Sequence, residues 1–381
     1  YIGDWSSDVC SSDLKMKNTE SLRLQGVEES STLAMAALAR EYKAKGVDVI
    51  SLSLGEPDFK TPTNICEGAK EAIDSGKYFS YPPVPGYLDF REAISEKFKN
   101  ENGLNYSPSE IIVSNGVKHS ITNVMFSILN PGDEVIVFAP FWVSYSAIIS
   151  LADGIPKYIN TTIKNDFKPT NDQLEEAIST KTKAIIFSSP CNPTGTVFTK
   201  EELEGYRNIL VNHPDIYVIS DEIYEHINFT DEHASFGSLE GMNDRTITMN
   251  GFSKGFAMTG WRLGYIGAPA KIAKSINKMQ GQTTSANCSI AQRAGLTALR
   301  GGNESALNMK KEYLKRRNIV FDLLSKIDKI KLNKPQGAFY FFPEISNYLG
   351  NKSQDGKKIN SANDLRSEEH TSELQSPMYL V

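Results

Sequence analysis

Short apolar runs alternate along the chain with longer stretches in which apolar positions recur at helical spacing. The apolar runs are IIV (111–113), EVIVFA (134–139), KAIIFSS (183–189), IYVIS (216–220), RTITMN (245–250) and GYIGA (264–268). β-branched runs bounded by Gly, Pro and Asn read as buried strands. Amphipathic stretches such as 117–129 and 200–211 fall between several of them and read as helices. This alternation predicts an α/β fold with a mostly parallel central sheet and helices on both faces. Residues 31–46 read as an amphipathic helix with Ser30 or Ser31 as N-cap, and 304–328 as a long helix rich in Lys, Arg and Leu. These two flank the sheet region and predict a smaller α+β domain built from both chain ends.

Composition narrows the function. The chain has 381 residues, 40% hydrophobic and 23% charged, with a net charge of −5. That is a globular profile with length for two domains. The mild acidity argues against nucleic-acid or anionic-membrane partners. KKEYLKRR (310–317) therefore reads as a solvated helix face. No apolar run reaches the roughly 18 to 20 residues of a membrane span. Cys10, Cys66, Cys191 and Cys288 lie far apart without a CxxC pair, so neither a metal site nor a redox motif is indicated. No secretory leader opens the chain, and a cytoplasmic setting is expected.

In open α/β sheets, ligands gather at the carboxyl ends of the strands. The segments following the runs are SNGVKHS (114–120), PFWVSY (140–145), SPCNPTG (189–195), DEIYE (221–225) and GFSKGFAMTGWRLGY (251–265). Each alone has an ordinary reading. Asp-Glu after a strand often makes a cap or an ion pair, and Asn, Pro and Gly favour turns without further purpose. Five polar or aromatic segments converging on one sheet edge predict a site.

In this order the motifs resemble those of fold-type I pyridoxal-phosphate enzymes, specifically class I/II aminotransferases of the bacterial aspartate (aspartate/prephenate) group. The resemblance runs from about Leu22 to Leu365. It also includes SLGEPDF (53–59), YPPVPGY (81–87), PGDEVIVFAPFWVSY (131–145), SDEIYE (220–225) and SKGFAMTGWRLGY (253–265). It implies pyridoxal 5'-phosphate as cofactor, with Lys254 as the Schiff-base lysine and proton shuttle. A free lysine near pKa 10.4 is a poor base at neutral pH, so burial or a neighbouring cation must lower it. Asp221 matches the carboxylate against the pyridine nitrogen. Asn192 and Tyr224 match ligands of the ring 3' oxygen, and Trp142 matches the ring stacked on the cofactor. Ser253 and Arg262 match phosphate ligands, assisted by Gly116, Val117 and Lys118 at a helix start. Tyr81 matches a tyrosine that reaches the phosphate of a neighbouring subunit, which implies a homodimer.

For substrate, the resemblance implies contacts from Gly55, Trp142 and Asn192, with Lys118 near an acidic side chain. Aspartate or glutamate as amino donor and a 2-oxo acid as acceptor are then expected, with prephenate also open. Phe339, in GAFYFF (337–342), matches a position near the site mouth or serves as core. The implied domains are 15–60 and an incomplete 291–365 for the smaller one, and 61–290 for the large cofactor-binding one.

Three departures stand out. Gly255 replaces a more usual alanine, a change expected to cost little. Cys191 is read as a packing residue. The segments 1–14 and 366–381 are aperiodic and resemble translated adapter or vector junctions. Family members continue past the position of Leu365 to an arginine that clamps the substrate carboxylate. The chain is accordingly expected to carry most of a cofactor site and an impaired substrate site. Other readings are a lyase or decarboxylase on the same fold, or a non-catalytic ligand-binding module. The module lacks support, because residues 1–20 are too short and too acidic for a DNA-binding arm.

Overall fold

Seven strands form one sheet in the computed structural model, which describes residues 20–27, 31–50, 52, 54–353, 356–362 and 364. They are β1 (Ile111–Ser114), β2 (Glu134–Ala139), β3 (Ile155–Asn160), β4 (Thr182–Ser188), β5 (Tyr217–Asp221), β6 (Thr246–Gly251) and β7 (Gly264–Gly267). Their order is β1-β7-β6-β5-β4-β2-β3. Strands β2 to β6 run parallel, and β7 is antiparallel to both neighbours. The sheet is thus mostly parallel, as the alternation predicts.

Successive strand residues face opposite sides of a sheet. Val135 and Val137 of β2 pack with Ile186, Ile219 and the helix Val117–Ile128 in one core. Ile136, Ile185 and Val218 pack with Leu203, Tyr206 and Leu210 of the helix Lys200–Leu210 in another. Both faces of the central strands are therefore dry, which is why they read as continuous apolar runs rather than alternating ones. Helix Lys200–Leu210 starts where a reciprocal capping box closes it, with Thr199 and Glu202 each bonding the other's backbone N–H.

All six predicted runs are strands, with bounds shifted by a residue or two. Strand β3 was not predicted. It is an edge strand with Ile155 and Tyr158 largely exposed and Pro156 within it, so it carries little apolar signal. The predicted helices appear as Ser31–Ala44 and Glu304–Leu324. Ser30 lies outside the described residues, as do Cys10, the 1–14 segment and the 366–381 segment. KKEYLKRR is not simply a solvated face. Tyr313 within it is buried, Arg316 pairs with Asp58 at 2.9 Å, and Arg317 donates to the Pro335 carbonyl at 2.5 Å. Cys66, Cys191 and Cys288 are free thiols. Among the described residues no helix is long and apolar enough to cross a membrane.

Candidate active site

A cleft of about 300 Å³ opens at the carboxyl ends of the parallel strands. Asp221, the last residue of β5, points into it and is 3% exposed. Its Oδ2 accepts from the Tyr145 hydroxyl at 2.7 Å, and its Oδ1 accepts from the Ile223 backbone N–H at 3.3 Å. Burial pushes its carboxyl up to about 6 against these two hydrogen bonds and the attraction of Lys254. The next two acidic residues turn the other way. Glu222 accepts from Ser235 at 2.6 Å, and His233 Nε2 lies 2.9 Å from it. Glu225 pairs with the buried Lys97, and Asn102 donates to both carboxylates. One motif thus supplies a carboxylate to the cleft and two to a buried ion network that fixes the turn behind it.

Lys254 lies in the turn that follows β6. Its Nζ donates to the Gly55 carbonyl and stands 5.7 Å from the Tyr224 and Phe339 ring centres. Burial drives its amine down to about 8, opposed by Glu56 and assisted by Arg262. An amine of this kind is neutral often enough near physiological pH to act as nucleophile and base.

Trp142 lies on one wall, edge-on to Tyr145, with Lys118 Nζ 5.0 Å from its ring centre. Desolvation and the nearby Arg262 lower the Lys118 amine. Tyr224 is buried and shares a short hydrogen bond with the Tyr340 hydroxyl, which also accepts from Asn192 Nδ2 at 3.3 Å.

The cationic end is built on a tight approach. Helix Val117–Ile128 starts from Gly116 at φ +82°, and a Cβ there would lie 2.5 Å from Arg262 Nη2. Only glycine allows both that φ and that approach. Arg262 is held by the carbonyls of Thr259 at 2.8 Å and Asn115 at 3.2 Å. Its guanidinium, the free first-turn N–H groups of Val117 and Lys118, and Ser253 share the cleft.

The fold therefore brings Gly55, Val117, Lys118, Trp142, Asn192, Asp221, Tyr224, Ser253, Lys254 and Arg262 to one cleft. Gly116 lies directly against Arg262. Tyr81 lies outside the cleft lining with its ring 95% exposed. Sequence reasoning missed Tyr145, Tyr340 and Glu56. Of the two readings left open for Phe339, site mouth or core, the core one holds, and the next residue, Tyr340, reaches the cleft. Phe339 itself is buried in the core, against Tyr224 and Tyr313. At Gly255 the space an alanine methyl would need is taken by the His226 ring, 2.6 Å from where a Cβ would stand. Cys191 is half-buried, its thiol pushed up chiefly by desolvation, as suits a packing residue.

Fold and site together define an α/β enzyme cleft with a buried amine, a buried carboxylate, an aromatic wall and a cationic end. The chain belongs to the family described as Aminotransferase class I and II, whose sequence model matches residues 47–372 and so runs into the stretch that begins at Arg366. An aspartate/prephenate aminotransferase of Cereibacter sphaeroides is 43% identical over 338 residues, covering 88% of this chain and 84% of its own. A bifunctional aspartate aminotransferase and glutamate/aspartate-prephenate aminotransferase of Petunia hybrida is 44% identical, covering 90% of this chain and 72% of its own. Among solved structures, the aspartate aminotransferase of Rhizobium meliloti superposes with a TM-score of 0.89 at 35% identity, covering 93% of this chain and 89% of that one. The Thermus thermophilus aspartate aminotransferase with maleate gives 0.83 at 40% identity, covering 87% and 86%.

Proposed function

We propose that this chain transfers an amino group between an acidic amino acid and a 2-oxo acid, using pyridoxal 5'-phosphate carried by Lys254. The observation that carries the reading is the convergence of Lys254, Asp221, Trp142 and Arg262, from three separate strand-end segments, on one cleft.

The residues fit the cofactor. Asp221 is a buried carboxylate raised by desolvation, and a cationic ring nitrogen would relieve that strain. The Gly116 approach leaves a cradle of N–H groups and a guanidinium for a phosphate. When bound, the cofactor supplies an electron-withdrawing ring that stabilises negative charge on the carbon losing its proton. Trp142 would hold the ring plane. Asn192 and Tyr224 would hold its 3' oxygen, and Ser253, Arg262, Val117 and Lys118 its phosphate. Lys254 would take the proton from the substrate carbon and return it elsewhere, which its depressed basicity suits. Gly55, Trp142, Asn192 and Lys118 would border the substrate, Lys118 facing an acidic side chain.

We also propose a homodimer in which Tyr81, exposed on this protomer, completes the partner's phosphate site. The larger domain holds the sheet and cleft, and the smaller draws on both chain ends. Helix Ser289–Arg300 packs on helices Thr63–Asp74 and Leu88–Asn102, which supports assigning it to the larger domain. The free thiols favour a reducing cytoplasm.

The test is to load the purified chain with cofactor, reduce with borohydride, and locate the modified peptide. Label on Lys254, lost with Lys254→Ala, is the expected result. Label elsewhere, or none, overturns the proposal. Amine loss from aspartate that requires 2-oxoglutarate separates transfer from a lyase reaction, which needs no acceptor.

A further inference from the structure

Three of the residues assigned to the cleft lean on one side chain that none of the sequence motifs singled out. Tyr340 hydrogen-bonds through its hydroxyl with Tyr224 and accepts from Asn192 Nδ2 at 3.3 Å. Gly55, whose carbonyl accepts from Lys254, lies so close that any Cβ there would collide with the Tyr340 hydroxyl. The ring is 4% exposed and edge-on to Tyr224 at 5.6 Å.

Its placement is over-determined. The preceding segment is sewn to two cleft loops. Gln336 and Gly337 both donate to the Gly195 carbonyl, at 2.8 and 2.9 Å, while Ala338 donates to the Ile227 carbonyl at 2.7 Å. Ala338 is fully buried with φ +55°, a conformation L-residues adopt only where the surroundings enforce it. The backbone turns there and delivers Phe339 to the core and Tyr340 to the cleft.

We propose that Tyr340 is a positioning residue for transamination: its hydroxyl donates to Tyr224, aiming the Tyr224 proton and the Asn192 amide together at the cofactor's ring oxygen. This rests on the reading given above. A phenol that accepts a hydrogen bond is a stronger donor of its own, so the Tyr340–Tyr224 chain strengthens donation to the ring oxygen. Greater stabilisation of that oxygen's negative charge lets the lysine-bound cofactor lose its nitrogen proton at lower pH. Burial raises both phenols well above their ordinary range, so both stay protonated as donors.

The test is a pH titration of the visible absorbance of the loaded full chain. Tyr340→Phe keeps the ring and removes only the hydroxyl. Its midpoint is expected to rise by about half a unit or more, a roughly threefold gain in proton affinity. An unchanged or lowered midpoint overturns the proposal. Tyr313→Phe removes a hydroxyl from a neighbouring core ring and is expected to leave the midpoint in place; an equal shift there overturns it too. In a Tyr224→Phe background the Tyr340→Phe shift is expected to shrink, and full additivity overturns the coupling. Absence of any lysine-dependent band in the unaltered chain removes the transamination reading, and this inference with it. A normal band with an unshifted Tyr340→Phe midpoint removes this inference alone.

Discussion

The Tyr145 hydroxyl donates to Oδ2 of Asp221 at 2.7 Å, joining the start of a helix to the last residue of a strand 76 positions later. Among the described residues it is the one side-chain hydrogen bond to this buried carboxylate. Removing a hydrogen bond to a charged group costs about 1.5–3 kcal/mol. Tyr145→Phe is therefore expected to weaken cofactor binding at least tenfold. Equilibrium titration followed by Trp fluorescence checks it, and unchanged affinity would contradict the role.

Asp221 makes the cofactor-free protein pH-sensitive. Its native carboxyl is raised to about 6 from an ordinary value of 3.8, chiefly by burial. The native state thus holds a proton that the unfolded chain has released. Its favourable contribution is full below pH 4 and is lost as pH rises through 6. At about 1.4 kcal/mol per unit, the penalty at neutral pH is on the order of 3 kcal/mol. Asp221→Asn in the cofactor-free chain is expected to melt higher than the parent at pH 7.5, with the gap narrowing toward pH 4. Thermal melts at the two pH values decide it.

Lys97 and Glu225 are both nearly fully buried and paired, with Glu222 close by. Lys97→Met leaves two buried carboxylates with one cation fewer. Breaking such a pair from one side costs about 3–5 kcal/mol. Urea unfolding is expected to show that loss, with partial recovery in Lys97→Met/Glu225→Gln. A loss under about 1 kcal/mol would mean that water or His233 already compensates the carboxylates.

Gly255 and His226 share one space. A methyl at 255 would press on the His226 ring at 2.6 Å. Gly255→Ala is expected to destabilise by about 1–3 kcal/mol through overpacking. His226→Ala in the same chain should relieve much of it, so the pair is strongly non-additive. Denaturation of the two singles and the double measures the coupling. An additive result would show that the ring moves aside freely.

Much of the site was legible because its chemistry is local. Lys254, Asp221, Asn192 and Arg262 each sit within a few residues of a strand end, and buried parallel strands announce themselves as β-branched runs. Tyr145, Tyr340 and Glu56 were not legible, because nothing in their own segments distinguishes them from core or surface residues. Strand β3 escaped for the opposite reason, since an edge strand with one wet face needs no apolar run.

The order of apolar runs and intervening helices by itself determined a mostly parallel α/β sheet, and the residues after each run determined which side chains would meet at its edge. Tertiary structure alone decided where equivalent residues go. Asp221 faces the cleft while Glu225 pairs with Lys97 and Glu222 bonds Asn102 and Ser235, and Tyr340 reaches Tyr224 while Phe339 goes to the core. The physical reason is that burial and pairing depend on contacts between segments more than a hundred residues apart, such as 97 with 225 and 224 with 340. Local pattern specifies which face of an element is apolar, whereas the identity of the neighbour across the gap is a property of the packed chain.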